Sequence, residues 1–172
     1  MIDGITYLEN FISDASLLFE HLKKNIDWDE RMKTRKTASF GLAYNYSQII
    51  YPSKEMLPKL KEICILIEKN IGFKPNNCLI NLYPNGKSKM GFHSDQIDIL
   101  NENTGIVIIS LGEKRALRYR KIANKDEKFD IELSSGSLIY MTQGIQKIWQ
   151  HAIPKSKVES PRMSLTFRYL KN

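Results

Sequence analysis

The chain contains three histidines, and two of them stand where a metal could use them. In GFHSDQ, His93 and Asp95 are two residues apart, so an extended backbone sends both side chains to one side. His151 follows in WQHAIPK, near the start of another predicted strand. Two imidazoles and one carboxylate on one face of a metal form the donor set of the non-haem Fe(II) oxygenases. Three protein ligands leave positions open for a chelating co-substrate and for O2. A histidine paired with an aspartate for structural reasons alone is the commoner meaning of such a triple, so the pattern needs support from elsewhere. His21 lies in a helical pattern and is read as having no chemical role.

Support comes from PRMSLTFR, which carries Arg162 and Arg168. Their even separation puts both guanidinium groups on one face of a strand that has no bulge. Two arginines aimed into a protein interior are costly unless they meet anions. A dicarboxylate such as 2-oxoglutarate supplies two, with the bidentate geometry that arginine suits. The competing reading is a pair of edge-strand arginines facing water.

These residues need a scaffold. The spacing of Leu17, Leu18, His21 and Leu22 predicts a helix after Ser13 or Asp14, either of which can cap it. Leu57, Leu60, Ile63 and Ile67 predict a second, with Pro58 in its first turn and a stop at Gly72. From Cys78 onward the pattern changes. CLINLY, GIVIISLG, RALRYRK, KFDIEL, GSLIYM and RMSLTFRYL are short β-branched and aromatic runs separated by turn signals such as PNGKS, NKDEK and SSGS. No helical stretch between them is long enough for a crossover, which predicts an antiparallel sandwich or barrel buttressed by N-terminal helices.

With 172 residues, 42% hydrophobic and 26% charged, the chain has the size and composition of one ordered domain, which excludes wholesale disorder. No apolar run reaches membrane-spanning length and no export signal opens the chain, so an intracellular, cytoplasmic protein is expected (nuclear also, in a eukaryote). Cys64 and Cys78, each among apolar neighbours, are read as buried free thiols. A net charge of +7 draws the protein to polyanions, although lysines scattered along the chain equally describe a well-solvated surface.

In order, the chain reads Asn81-x-Tyr83, His93-x-Asp95, His151 and Arg162-x5-Arg168. This succession resembles the AlkB family of Fe(II)/2-oxoglutarate dioxygenases. The stretches SLGEKRALRYR, GSLIYM and WQHAIPK are similar to the family as well, and TRKTASFGLAYNYS (from Thr34) resembles the segment that shapes its nucleotide-recognition lid. The resemblance runs from about Thr34 to the end, and several motifs in register are far more specific than one.

The resemblance implies an α+β, mainly β fold: a double-stranded β-helix (jelly-roll) core with N-terminal helices packed against it. It implies a single domain over 1–172, with a helical extension and lid in 1–75 and the jelly roll in 76–172. His93, Asp95 and His151 would bind Fe(II) as the catalytic centre. Arg162 and Tyr83 would hold the far carboxylate of 2-oxoglutarate, and Arg168 and Asn81 the near one. Tyr46 matches an aromatic that stacks on a flipped base, Tyr44 its polar neighbour, and Arg35 an arginine just upstream.

The implied reaction is oxidative demethylation of N-alkylated bases in DNA or RNA, consuming O2 and 2-oxoglutarate and releasing succinate, CO2 and formaldehyde. The implied substrate is single-stranded or locally unpaired nucleic acid, because a base must leave its stack to be reached. A monomer with no membrane partner is expected. Two departures stand out. Gln96 follows Asp95 where the family's repair enzymes carry an acid that contacts the base, and Ser164 stands where an asparagine is common. Gln96 keeps open an oxygenase acting on a protein or small molecule.

Overall fold

The short β-branched runs form strands and the two longer 3.6-period stretches form helices in the computed structural model, which describes residues 1–172. The order is β1 (Ile5–Leu8), α1 (Ala15–Asn25), β2 (Lys36–Gly41), β3 (Tyr44–Tyr46), β4 (Ile49–Tyr51), α2 (Pro58–Ile71), β5 (Asn77–Tyr83), β6 (Met90–His93), β7 (Ile106–Gly112), β8 (Arg115–Lys121), β9 (Lys128–Leu133), β10 (Leu138–Met141), α3 (Gln143–Ile148), β11 (Trp149–Ile153) and β12 (Arg162–Arg168). Both expected helices form. Asp14 takes the N-cap position of α1 without a side-chain capping bond, while Pro58 opens α2 and Gly72 closes it in the left-handed region.

Strands pair antiparallel into a large sheet ordered β1-β10-β7-β12-β5-β2 and a small one ordered β6-β11-β8-β9, with β3 and β4 forming a separate hairpin. From β5 onward, successive strands build two facing four-stranded sheets, which is the jelly roll. Residues 1–75 are not helical alone: β1 pairs with β10 and β2 with β5, so this segment supplies both edges of the large sheet.

Alternation along the strands splits the interior in two. On β12, Met163, Leu165 and Phe167 face the helices, whereas Arg162, Ser164, Thr166 and Arg168 face the small sheet; all are buried. On β5, Cys78, Ile80 and Leu82 take the helix side and Leu79, Asn81 and Tyr83 the other. Leu18, Phe19 and Leu22 of α1 and Leu60, Ile63 and Ile67 of α2 complete the helix-side core. Each such side chain contributes about 1.5–3 kcal/mol when fully buried. The helices thus clamp the large sheet from behind and leave its front face to the site. Cys64 and Cys78 are buried and unbonded, and no helix is long and apolar enough to cross a membrane.

Candidate metal and co-substrate site

β6 and β11 lie side by side, and His93 and His151 are direct partners in their register. Cross-strand partners project to the same face, here the inside of the small sheet, with ring centroids 4.4 Å apart. Asp95 follows the end of β6 and turns back to them: His151 Nε2 lies 3.3 Å from its Oδ2 and His93 Nε2 3.9 Å from its Oδ1. One donor atom from each of the three falls within 4.8 Å of the others. His93 Nδ1 bonds the Gly91 carbonyl at 2.9 Å, which leaves Nε2 facing Asp95 as the free donor atom.

Electrostatics prepare these groups to bind a cation. Burial and the neighbouring His151 lower the pKa of His93, favouring the neutral imidazole that a metal requires. Burial alone would raise the pKa of Asp95. The His151 hydrogen bond and the Arg168 charge outweigh that and hold the carboxyl well below the usual range. Gln146 fixes the loop by accepting the Asp95 amide at 2.9 Å.

The cavity at the triad is also lined by Asn81, Tyr83, Arg162, Ser164, Arg168 and Tyr46, with Leu79, Ile108, Leu117 and Ile153 as its apolar walls. β12 carries no bulge along its pairing with β5, so Arg162 and Arg168 share one face as the spacing predicts, and Tyr83 sits directly opposite Arg162. Arg162 is 1% exposed; its Nη2 donates to Ser110 Oγ at 2.9 Å, while Nε and Nη1 are buried with no partner. Burial depresses its pKa, and Tyr83 works in the opposite direction. Arg168 is 2% exposed and donates Nη2 to Asp95 Oδ1 at 3.2 Å, again with Nε and Nη1 unpartnered. Burial opposes its charge, but the neighbouring Tyr44 and Asp95 prevail and raise its pKa. Buried guanidinium donors without acceptors are costly, so this end of the cavity is built for anions.

Residues 4–168 match the family described as the 2OG-Fe(II) oxygenase superfamily. The chain belongs to it, and within it to the AlkB family. It is 32% identical over 177 residues to the human alpha-ketoglutarate-dependent dioxygenase alkB homolog 3, covering 91% of this chain and 62% of that protein. It is 30% identical over 179 residues to the human DNA oxidative demethylase ALKBH2, covering 91% of this chain and 69% of that protein. The chain therefore spans less than two thirds of the alkB homolog 3 length. The structure of OsALKBH1 superposes with a TM-score of 0.74 at 16% identity, covering 98% of both chains, which confirms the jelly roll. The cofactor and co-substrates of the superfamily are Fe(II), 2-oxoglutarate and O2. The residues fit them: an N, O, N donor cluster for the metal and two arginines with unpartnered buried donors for a dicarboxylate.

The positions expected to meet a base are distributed differently in this AlkB-family chain. Tyr46 lines the cavity, and burial raises its pKa to about 12. Tyr44 is stacked near it at 6.5 Å but lies over the Arg168 guanidinium, 4.7 Å from ring centroid to carbon, and borders a neighbouring groove. Gln96 is exposed and lines that same groove beside Tyr44, not the triad cavity. Arg35 bonds Tyr46 and Asn81.

Three residues at the site were not singled out from the sequence. Arg115, 3% exposed, donates to the carbonyls of Asn85 (3.2 Å), Ser88 (2.9 Å) and Pro154 (2.7 Å). It staples together two loops so close that a Cβ on Gly86 would lie 2.4 Å from the Ser156 carbonyl oxygen. A signal existed, because Arg115 has the same parity on β8 as the buried Leu117 and Tyr119. Tyr119 is fully buried beside His151, and burial pushes its phenol far above the usual pKa. Gln146 left no sequence signal.

Proposed function

We propose that this chain oxidatively demethylates N-alkylated bases in DNA or RNA, using Fe(II), O2 and 2-oxoglutarate and releasing succinate, CO2 and formaldehyde. The observation that carries the reading is one cavity shared by the His93/Asp95/His151 cluster, two buried arginines with free donors, and the aromatic Tyr46. Kinship with a protein named DNA oxidative demethylase supports the choice of substrate.

His93 Nε2, His151 Nε2 and an Asp95 oxygen would hold the metal. With 2-oxoglutarate bound, Fe(II) supplies the capacity to activate O2 for attack on a C–H bond. The chain's own residues do the positioning. Arg162 and Tyr83, facing each other across β12 and β5, bind the far carboxylate. Arg168 and Asn81 bind the near one, with Arg168 also neutralising Asp95. Two fixed charges would set the length and direction of a bound dicarboxylate. The walls of Leu79, Ile108, Leu117 and Ile153 exclude water from the chemistry.

Tyr46 stacks on the extruded base, an interaction worth roughly 1–3 kcal/mol, Tyr44 supports it from the same strand, and Arg35 contributes at the base of the lid. The substrate is single-stranded or locally unpaired, and the enzyme acts as a monomer in the cytoplasm or, in a eukaryote, the nucleus. A second reading, an oxygenase for a protein or small molecule, is favoured by the placement of Gln96. Asp95 is then the only acid lining the cavity, with none left to meet a base amine. Methylated oligonucleotides decide between them. Demethylation predicts formaldehyde release at a rate that falls as salt rises; succinate formation without formaldehyde from any oligonucleotide would favour the second reading.

A further inference from the structure

The resemblance places Arg35 just upstream of the lid among the substrate-binding positions, but its hydrogen bonds are committed elsewhere. Nε donates to Asn81 Oδ1 at 2.9 Å, Nη2 to the Tyr46 hydroxyl at 2.6 Å, and Nη1 to the Lys89 carbonyl at 3.1 Å and Thr34 Oγ1 at 3.3 Å. All three nitrogens are engaged, and its guanidinium carbon lies 5.6 Å from the Tyr46 ring centroid. Asn81 and Tyr46 both line the cavity, one from β5 of the rigid large sheet and the other from the β3–β4 hairpin. The strands of that hairpin pair with neither sheet; its far end is tied to β2 by the Tyr51 hydroxyl on Thr37 and by the Gly41–Lys54 bridge, which leaves Arg35 as the tie at the Tyr46 end.

We infer that Arg35 is a positioning residue that joins the co-substrate end of the cavity to the lid, and that 2-oxoglutarate bound at Asn81 orders the β3–β4 hairpin through it. The inference rests on the oxygenase reading above. A carboxamide has two faces of opposite character, and which one meets a ligand depends on its other contacts. The Arg35 cation draws Asn81 Oδ1 to itself, so the NH2 group remains to donate to a carboxylate in the cavity. Donation polarises the amide and strengthens the bond that Oδ1 accepts. The same guanidinium holds Tyr46, so fixing its Asn81 end lowers the freedom of its lid end. By linkage, an ordered lid in turn favours the co-substrate.

The test is hydrogen exchange of the Tyr44–Tyr51 amides in the full chain loaded with Zn(II), with and without saturating 2-oxoglutarate, in wild type, Arg35→Gln and Tyr46→Phe. Melting temperature reports co-substrate binding separately. In wild type, 2-oxoglutarate should slow hairpin exchange about fivefold or more. Both variants should lose that slowing while 2-oxoglutarate still raises their melting temperatures. Tyr46→Phe leaves Asn81 untouched and so isolates the lid end of the link. Equal slowing in Arg35→Gln, or no slowing in a wild type that 2-oxoglutarate stabilises, would overturn the inference and leave the parent reading intact. No stabilisation of wild type at all would overturn both.

Discussion

His93 and His151, 58 positions apart in sequence, are cross-strand partners in one ladder, their rings tilted 59° at 4.4 Å. The register shifts immediately beyond them, between His151 and Ile153. The candidate metal-binding cluster is thus anchored in regular strand pairing at two of its three corners, while Asp95 enters from a loop that the Gln146 side chain holds. Sites built on strands keep their geometry better than sites built on loops. The sheet therefore sets the spacing of the imidazoles, and the carboxylate completes it.

Replacing Arg162 with Gln should raise the 2-oxoglutarate requirement. Truncating one partner of a buried, hydrogen-bonded charge pair costs about 2–5 kcal/mol, or roughly 30-fold to several thousand-fold in affinity. Succinate formation measured against 2-oxoglutarate concentration reads this directly. An unchanged requirement would remove Arg162 from the co-substrate site.

Arg115→Ala should destabilise the chain by about 1–3 kcal/mol, because its carbonyl partners at Asn85, Ser88 and Pro154 lose their donor. Urea denaturation should show a lower midpoint with an unchanged slope. A midpoint equal to that of wild type would contradict the staple.

Tyr46 also gives a pH signature. Its hydroxyl ionises at about 10 when unfolded and is pushed up to about 12 in its partly buried place in the fold. The stability it contributes is complete below pH 10 and is lost as pH rises towards 12, because there the unfolded chain releases a proton that the folded one keeps. Denaturation midpoints from pH 9 to pH 12 should therefore fall less steeply in Tyr46→Phe than in wild type. Parallel curves would mean that the Tyr46 hydroxyl is not shielded from water by the fold.

The parts of this arrangement that were legible in sequence are those written in local periodicity. β5, β7, β8, β9, β10 and β12 coincide with apolar runs, and the shared face of Arg162 and Arg168 follows from parity on an unbroken strand. β11 was legible, since WQHAIPK reads as the start of a strand, but β6, which carries His93, was not. Met90–His93 contains a glycine and only two apolar residues, too short a stretch for alternation to show. β1 and β2 were hidden for another reason. Their place is set by pairing with β10 and β5, contacts between distant segments that no window reveals. Arg35 shows the limit at the site itself: its position beside the lid was legible, but its engagement of Asn81, 46 residues away, belongs to the fold.

The central claim is that His93, Asp95 and His151 run a nucleic-acid demethylation in a cavity keyed to 2-oxoglutarate. The most direct measurement is mass spectrometry of N1-methyladenine and N3-methylcytosine oligonucleotides after incubation with Fe(II), 2-oxoglutarate and O2, using wild type and Asp95→Ala. Wild type should convert at least one oligonucleotide to the unmethylated mass with equimolar succinate and formaldehyde, and Asp95→Ala should convert none. Unchanged oligonucleotides with wild type, or turnover that survives in Asp95→Ala, would contradict the account.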